Sequence, residues 1–279
     1  MAESKIEWCR YTWNSWYICT KMTYTDVEAG LDIGHACDHC YAESWSKRSG
    51  LGEWGGERKH TSPSIWKAPL KWNAEAGRTG IRDRVFWGSL MDVADIEVSQ
   101  PWREDAIALV NQCPNLDWMM LTKRLLPHPE LGITPERLLE MFASWREQWP
   151  EHVWFGHTLA NQQEADLTLD AIAQIPAPIR FISHEPFLGP IDYSDYGSVL
   201  DLVILGGESG GKARVCDLDA MAATIASCRA AGIQVFIKQL GAKPMYHHHP
   251  LTLKSRKGGN MDEWPVEFQV RAMPAATEV

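Results

Sequence analysis

Between residues 85 and 239, short apolar runs alternate with amphipathic stretches, and this alternation constrains the fold more than any other feature of the chain. The strand-length runs are Val85–Ser89, Asp117–Leu121, Val153–Gly156, Ile179–Ser183, Leu202–Leu205 and Ile233–Lys238. Between them, Trp102–Cys113, Pro135–Trp149, Asn161–Ile175 and Asp217–Ala231 carry helical spacing. Pro135 suits a first helical turn, Asn161 an N-cap and Gly232 a C-terminal stop. Strand–helix alternation predicts parallel βαβ units, hence an α/β fold with about six parallel strands. A segment near Ser15–Ile18 is a candidate seventh strand. Polar residues recur just after the strands: Asp92, Lys123, Thr158, Glu185, Glu208 and Gln239. Barrels build their functional face at strand C-termini, so this recurrence favours a full or partial (β/α) barrel over an open sheet.

Two stretches break the rhythm. Thr20–Ala36 is a long insertion without clear periodicity, and Ser49–Arg82, rich in Gly, Trp and basic residues, shows no helix. The expected organisation is a single barrel domain over 1–279, with an irregular excursion at about 49–82 over the barrel mouth. A loop-like tail runs from about 242. The net charge of −9 argues against a protein held to nucleic acid by a general basic surface. The longest apolar runs are strand-sized, which excludes a membrane span, and Met1–Lys5 does not read as a signal peptide. The expected location is the cytoplasm, where thiols stay reduced, and an odd count of seven cysteines fits that expectation.

Cys37-Asp38-His39-Cys40 is a C-x2-C pair, and Cys19 lies upstream on a segment able to fold back. Three thiolates suit a [4Fe–4S] cluster with one iron left open, whereas a purely structural cluster takes four. A structural zinc site with His35 or His39 as fourth ligand is equally compatible, and the cysteines alone do not separate the two. Cys113 and Cys228 fall in helices as buried hydrophobes, Cys216 reads as a spare thiol, and Cys9 as a small residue or an extra ligand. His247–His249 are consecutive and share no face, so they form no specific metal site.

The larger set of motifs is more specific. Ile6-Glu7-Trp8, Thr12-Trp13-Asn14, Cys19-Thr20-Lys21 and Cys37-Asp38-His39-Cys40-Tyr41-Ala42-Glu43 stand in order. They are followed by Val85–Asp92, Leu121-Thr122-Lys123-Arg124, Glu185–Ile191, Gly206-Gly207-Glu208-Ser209-Gly210 and Phe236–Gly241. From about Ile6 to Pro265 the chain resembles a phage- and bacterium-encoded family of radical-SAM-like proteins, mostly of unknown function. The resemblance implies a partial barrel of the radical-SAM type. Cys19, Cys37 and Cys40 would hold three irons of a [4Fe–4S] cluster, and the fourth iron would chelate S-adenosyl-L-methionine (SAM). Electron transfer from a donor protein would cleave SAM to methionine and a 5′-deoxyadenosyl radical, which abstracts hydrogen from a substrate. The phage context implies a host-cytoplasm enzyme acting on DNA or a nucleotide, for instance rearranging a hypermodified pyrimidine. Two departures stand out: seventeen residues separate Cys19 from Cys37, and Cys9 replaces a usual Thr.

Further candidates sit at strand ends. Gly206, Gly207, Glu208 and Ser209 follow a strand, where glycines let backbone approach a ligand and Glu208 can take an amine or ribose hydroxyl. Glu185 either binds ligand or pairs with a basic neighbour. Lys123 and Arg124 can receive a carboxylate or phosphate, or form a solvated basic pair. Lys238 and Gln239 end the last strand, and Trp13, Asn14 and Tyr41 flank the proposed cluster. Arg58, Lys59, Lys67 and Lys71, in a Trp-containing segment, are candidates for holding a nucleotide. Two other classes stay open: a zinc-stabilised nucleic-acid-binding protein without catalysis, and a divalent-metal barrel hydrolase using Asp92, Glu185 and Glu208.

Overall fold

The computed structural model describes residues 3–274; Met1, Ala2 and the last five residues of the predicted 1–279 domain lie outside them. Seven strands form one sheet: β1 (Tyr11–Trp13), β2 (Asp83–Trp87), β3 (Leu116–Thr122), β4 (Val153–Thr158), β5 (Arg180–His184), β6 (Leu202–Gly206) and β7 (Gln234–Gln239). They lie side by side in chain order, and every pairing is parallel. The sheet is a half-barrel in which β1 and β7 are the outermost strands, and residues 270–272 pair with the outer edge of β7. The predicted α/β partial barrel is therefore present with seven strands, not six. The seventh is Tyr11–Trp13. Trp16–Tyr17, inside the segment expected to supply it, instead pairs antiparallel with Lys59–His60.

Among the described residues, six α-helices of seven residues or more accompany the sheet: α1 (Tyr41–Ser49), α2 (Ala68–Thr79), α3 (Gln100–Asn111), α4 (Pro135–Met141), α5 (Gln162–Ala173) and α6 (Leu218–Ala230), and a single helical turn, Pro63–Trp66, precedes α2. Their ends follow local chemistry. Asn161 accepts from the Glu164 amide at 3.0 Å, and Asp217 accepts from the Asp219 and Ala220 amides. The helix expected over Pro135–Trp149 stops at Met141, because Phe142 leaves helical geometry before a short 3-10 turn at Ala143–Trp145. Three stretches expected to be irregular are ordered. Thr20–Ala36 contains an antiparallel hairpin, Tyr24–Asp26 with Leu31–Ile33. The excursion contains α2, and the tail from 242 adds Pro244–Tyr246 and His249–Pro250 to a small sheet with Cys216–Asp217.

Strand periodicity divides the core into two layers. The outward residues Val85, Trp87, Trp118, Met120, Val153, Phe155, Ile182, Val203, Leu205, Val235 and Ile237 pack beneath the helices. Tryptophans dominate this layer: Trp13 meets Trp118 edge-on at 5.4 Å, and Trp87 lies 6.4 Å from Trp145. Trp13 thus faces the outer core and does not shield the cavity. The inward residues Phe86, Met119, Leu121, Trp154, Phe181, Leu202, Ile204 and Phe236 form a second cluster, closed by Trp8 and Cys9. Cys9 is buried there, its thiol pushed up to about 12 by burial, and it does not line the cavity described below.

Two histidines near the sheet's upper end are completely buried, His157 and His184. Burial pushes both pKa values down to about 3, while the unfolded chain protonates near 6.5. Between these values the unfolded state binds more protons. Their contribution to stability is therefore complete above about pH 6.5 and is lost as pH falls towards 3. The slope is at most about 1.4 kcal/mol per pH unit for each histidine. The urea midpoint should drop between pH 7 and pH 5, and a His157→Gln/His184→Gln variant should show a flatter dependence. Equal slopes in the two proteins would refute this.

Candidate functional site

The inward alternation continues past the apolar cluster, so one strand step above each core residue a polar or glycine position faces the mouth of the half-barrel. Above Phe86 stands Gly88; above Leu121, Lys123; above Phe181, Ser183 and Glu185; above Ile204, Gly206 and Glu208; above Phe236, Lys238. All of them line a single cavity at the C-terminal ends of the strands. Cys19, Cys37 and Cys40 line the same cavity, together with Tyr41, Ser209, Gln239 and Trp54 from the excursion. The other four cysteines are buried elsewhere. The sequence-predicted candidates Cys19, Cys37, Cys40, Tyr41, Lys123, Glu185, Gly206, Gly207, Glu208, Ser209 and Lys238 are thus brought together in one place.

Three anchors hold the cysteine segments. Cys19-Thr20 rests on buried arginines: Arg58 Nη2 donates to Thr20 Oγ1 at 2.6 Å, and Arg124 Nη2 donates to the Thr20 carbonyl at 3.1 Å. Arg58 is itself bound by Asp95 through Nε at 2.7 Å and Nη2 at 3.0 Å. Two expectations are corrected here. Arg124 is fully buried against Met22 and Thr20, so it is neither solvated nor free for a ligand, and Arg58 is locked to Asp95, not offered to a nucleotide. Lys59, Lys67 and Lys71 are exposed and outside the cavity lining. Asp92 also acts locally, accepting from Thr122 Oγ1 at 2.7 Å and the Lys123 amide at 3.0 Å. The second anchor is Glu164 on α5, whose carboxylate accepts from the Gly34 amide at 2.8 Å and the Ala160 amide at 2.7 Å. Gly34 has φ +81, and a Cβ there would lie 2.2 Å from the Met22 carbonyl oxygen. Gly34→Ala should therefore displace the hairpin before Cys37 at a cost of about 2 kcal/mol. A thermal-melt midpoint equal to wild type would refute this. The third anchor is Arg214, considered below.

The electrostatics single out Lys123. Burial acts to lower its pKa, but Cys37, Asp92, Cys40 and Cys19 outweigh that and the net shift is upward. Its ammonium makes no ion pair or hydrogen bond among the described residues. Thr158, one residue past the last β3–β4 pair of Thr122 with His157, lines the same cavity; its buried hydroxyl has no partner among the described residues, and opposite it stands Ser183. Burial pushes the Cys19 thiol well above its ordinary value and raises Cys37 too, with Lys123 partly offsetting the latter. A cation binding these sulfurs must displace their protons. Glu185 pairs with Lys238 at 2.8 Å and accepts from Ser183 Oγ at 3.2 Å. Tyr41 donates to the Ser89 carbonyl at 2.5 Å, and Asn14 holds the same turn through the Leu90 amide at 2.7 Å. Gly206 and Gly207 are crowded by protein and not by open ligand space: a Cβ would meet Glu185 Oε1 at 2.6 Å and the Leu240 carbonyl oxygen at 2.5 Å, respectively. Sequence reading missed Ser183 and Arg214. Strand parity from Phe181 would have found the first; Arg214 sits in an irregular loop with no pattern around it.

Among the described residues no three His, Cys, Asp or Glu side chains converge on a single-ion site, and no helix is long and apolar enough to cross a membrane. The fold and site define an α/β half-barrel protein with a cysteine-lined cavity at its strand C-termini. The chain belongs to the family described as protein of unknown function (DUF5131), whose model matches residues 3–267. No curated protein and no solved structure gives a significant match.

Proposed function

We propose that this protein is a radical SAM enzyme whose [4Fe–4S] cluster is held by Cys19, Cys37 and Cys40. The observation that carries the reading is that three free thiols from two separate segments line one cavity at the functional end of a half-barrel, while the other four cysteines do not. Three thiolates leave one iron without a protein ligand, the position at which SAM would chelate. When bound, the pair supplies reductive cleavage of SAM to methionine and a 5′-deoxyadenosyl radical. Around them, Lys123 and Thr158 offer an ammonium and a hydroxyl, each without a partner among the described residues, for a carboxylate, while the Ser183 hydroxyl beside them donates to Glu185. Trp8, Phe86 and Leu121 form an apolar floor that excludes water.

The alternatives fit these residues less well. Asp92, Glu185 and Glu208 are each engaged by protein partners and do not form a divalent-metal triad. A zinc ion needs its ligands to converge on one point, whereas the cysteines of a cubane bind separate irons and stand farther apart. For the substrate, we extend the proposal to a modified pyrimidine. The indole of Trp54, which lines the cavity without an aromatic neighbour among the described residues, is the excursion's side chain placed to stack on a base.

The test is anaerobic reconstitution with iron and sulfide, then SAM and a reductant, with 5′-deoxyadenosine as the readout. About four irons per chain and 5′-deoxyadenosine formation are expected. A well-formed cluster that releases none with several reductants would overturn the reading, and one equivalent of zinc with no iron would restore the zinc alternative.

A further inference from the structure

Glu208 follows the two glycines at the end of β6, where a carboxylate is expected to meet a ligand. Its surroundings say otherwise. Its two oxygens accept from Arg214 Nε at 3.1 Å, Arg214 Nη2 at 2.5 Å and the Arg214 amide at 2.8 Å, and His39 Nδ1 lies 3.2 Å away. An ionised carboxylate offers about four acceptor positions, and here four contacts meet it, three at Oε2 and one at Oε1. Burial acts to raise its pKa, but the Arg214 hydrogen bonds outweigh it and hold the carboxyl below its ordinary value. Glu185 differs, having only Lys238 and Ser183 as partners and acceptor capacity to spare.

The same guanidinium reaches into the cysteine segment. Arg214 Nη1 donates to Asp38 Oδ2 at 2.9 Å, and Nη2 donates to the His35 carbonyl at 2.9 Å. Asp38 in turn accepts from Thr23 Oγ1 at 3.1 Å and is 3.0 Å from His35 Nδ1. Both residues between Cys37 and Cys40 are therefore tied to the end of β6: Asp38 through Arg214, and His39 through Glu208. We infer that Arg214 and Glu208 are positioning residues that clamp the C-x2-C turn over the cavity, and that Glu208 acts through that turn and not on a ligand. This rests on the cysteine-bound cluster proposed above.

The experiment compares Arg214→Gln, Arg214→Lys, Glu208→Gln and the Arg214→Gln/Glu208→Gln double variant after anaerobic reconstitution. Iron release to a chelator, the electron paramagnetic resonance spectrum of the reduced cluster and SAM affinity are read for each. Both Gln variants should lose iron about 10- to 100-fold faster than wild type, with an altered spectrum. The double variant should be no worse than the worse single, because the residues act as one unit. Arg214→Lys keeps the charge but not the fork and should recover part of the retention. Glu208→Gln protein that retains its cluster should bind SAM as wild type does. Wild-type iron release in Glu208→Gln together with weakened SAM binding would overturn the inference. Hydrogen exchange on the iron-free proteins separates the two proposals. Residues 23–40 should exchange faster in the Gln variants while β2–β6 stay protected, and unchanged exchange there overturns the clamp even if wild type assembles no cluster. A wild type without iron but with the exchange difference overturns only the cluster.

Discussion

Alanine at Cys19, Cys37 or Cys40 is expected to remove the iron and all SAM cleavage, whereas alanine at Cys113 or Cys228 should leave both intact. The contrast follows from placement. The first three thiols line the cavity, and the other two are wholly buried among apolar neighbours. The proposed cluster, with only three protein thiolates, would have no reserve ligand, because the nearest sequence alternative, Cys9, lies in the inner apolar layer with its pKa pushed up to about 12. Cys9→Ala should therefore also keep its cluster. Cys113→Ala and Cys228→Ala remove a buried sulfur, so they should lower stability by about 1 kcal/mol without changing the iron count. Iron and sulfide analysis alongside thermal melts checks every variant. A Cys113→Ala protein that lost iron while remaining folded would break the assignment, as would a Cys19→Ala protein that kept it.

Arg58→Met is expected to be among the most destabilising single changes, at about 3–5 kcal/mol. Arg58 is 3% exposed at its side chain and Asp95 0%, so removing the guanidinium leaves an ionised carboxylate inside the protein. Arg124, 3.7 Å from Asp95, is only a partial substitute because its own donors serve Met22 and the Thr20 carbonyl. The variant also frees Thr20 Oγ1 and the Gly56 carbonyl, each bonded at 2.6 Å, and so loosens the Cys19 segment and the Trp54 loop together. The double variant Arg58→Met/Asp95→Leu should be less damaging than the sum of its parts, since no unpaired charge remains. Chemical-denaturation midpoints for the four proteins check this. Strict additivity, or a loss below about 1 kcal/mol for Arg58→Met, would refute the pairing's importance.

Much of this architecture was legible because the strands are long and the period is simple. Leu121 and Lys123 share parity, so once β3 is recognised Lys123 must face inward and Arg124 must not. Reading the two as one basic pair ignored that alternation. α2 was missed because its buried positions, Ala68, Pro69, Trp72 and Ala76, include only one large apolar residue. A stripe of small residues gives little helical signal. β1 has three residues, too few for any period to show. The three cysteines were legible by type and spacing, and the path of the long insertion between them was not. That path depends on Glu164, Arg124 and Arg214, which lie more than a hundred residues away in the chain and touch the insertion only after folding.

The inner cluster is completed from both ends of the described chain. Trp8 and Cys9 enter it before β1, and Met273 packs on it after β7, while the Ala272 amide donates to the Val235 carbonyl along the outer edge of β7. Trp8 meets Phe181 with ring centroids 6.5 Å apart, a contact between residues distant in the chain that carries a large loop-closure cost. Trp8 also floors the cavity. During synthesis the outer tryptophan layer can assemble strand by strand, but the cavity has no floor until the ribosome has delivered the last strand and the segment after it. If the cavity takes the cluster proposed above, its loading would follow completion of this floor, and a nascent or C-terminally clipped chain would present its cysteines on an unfinished vessel.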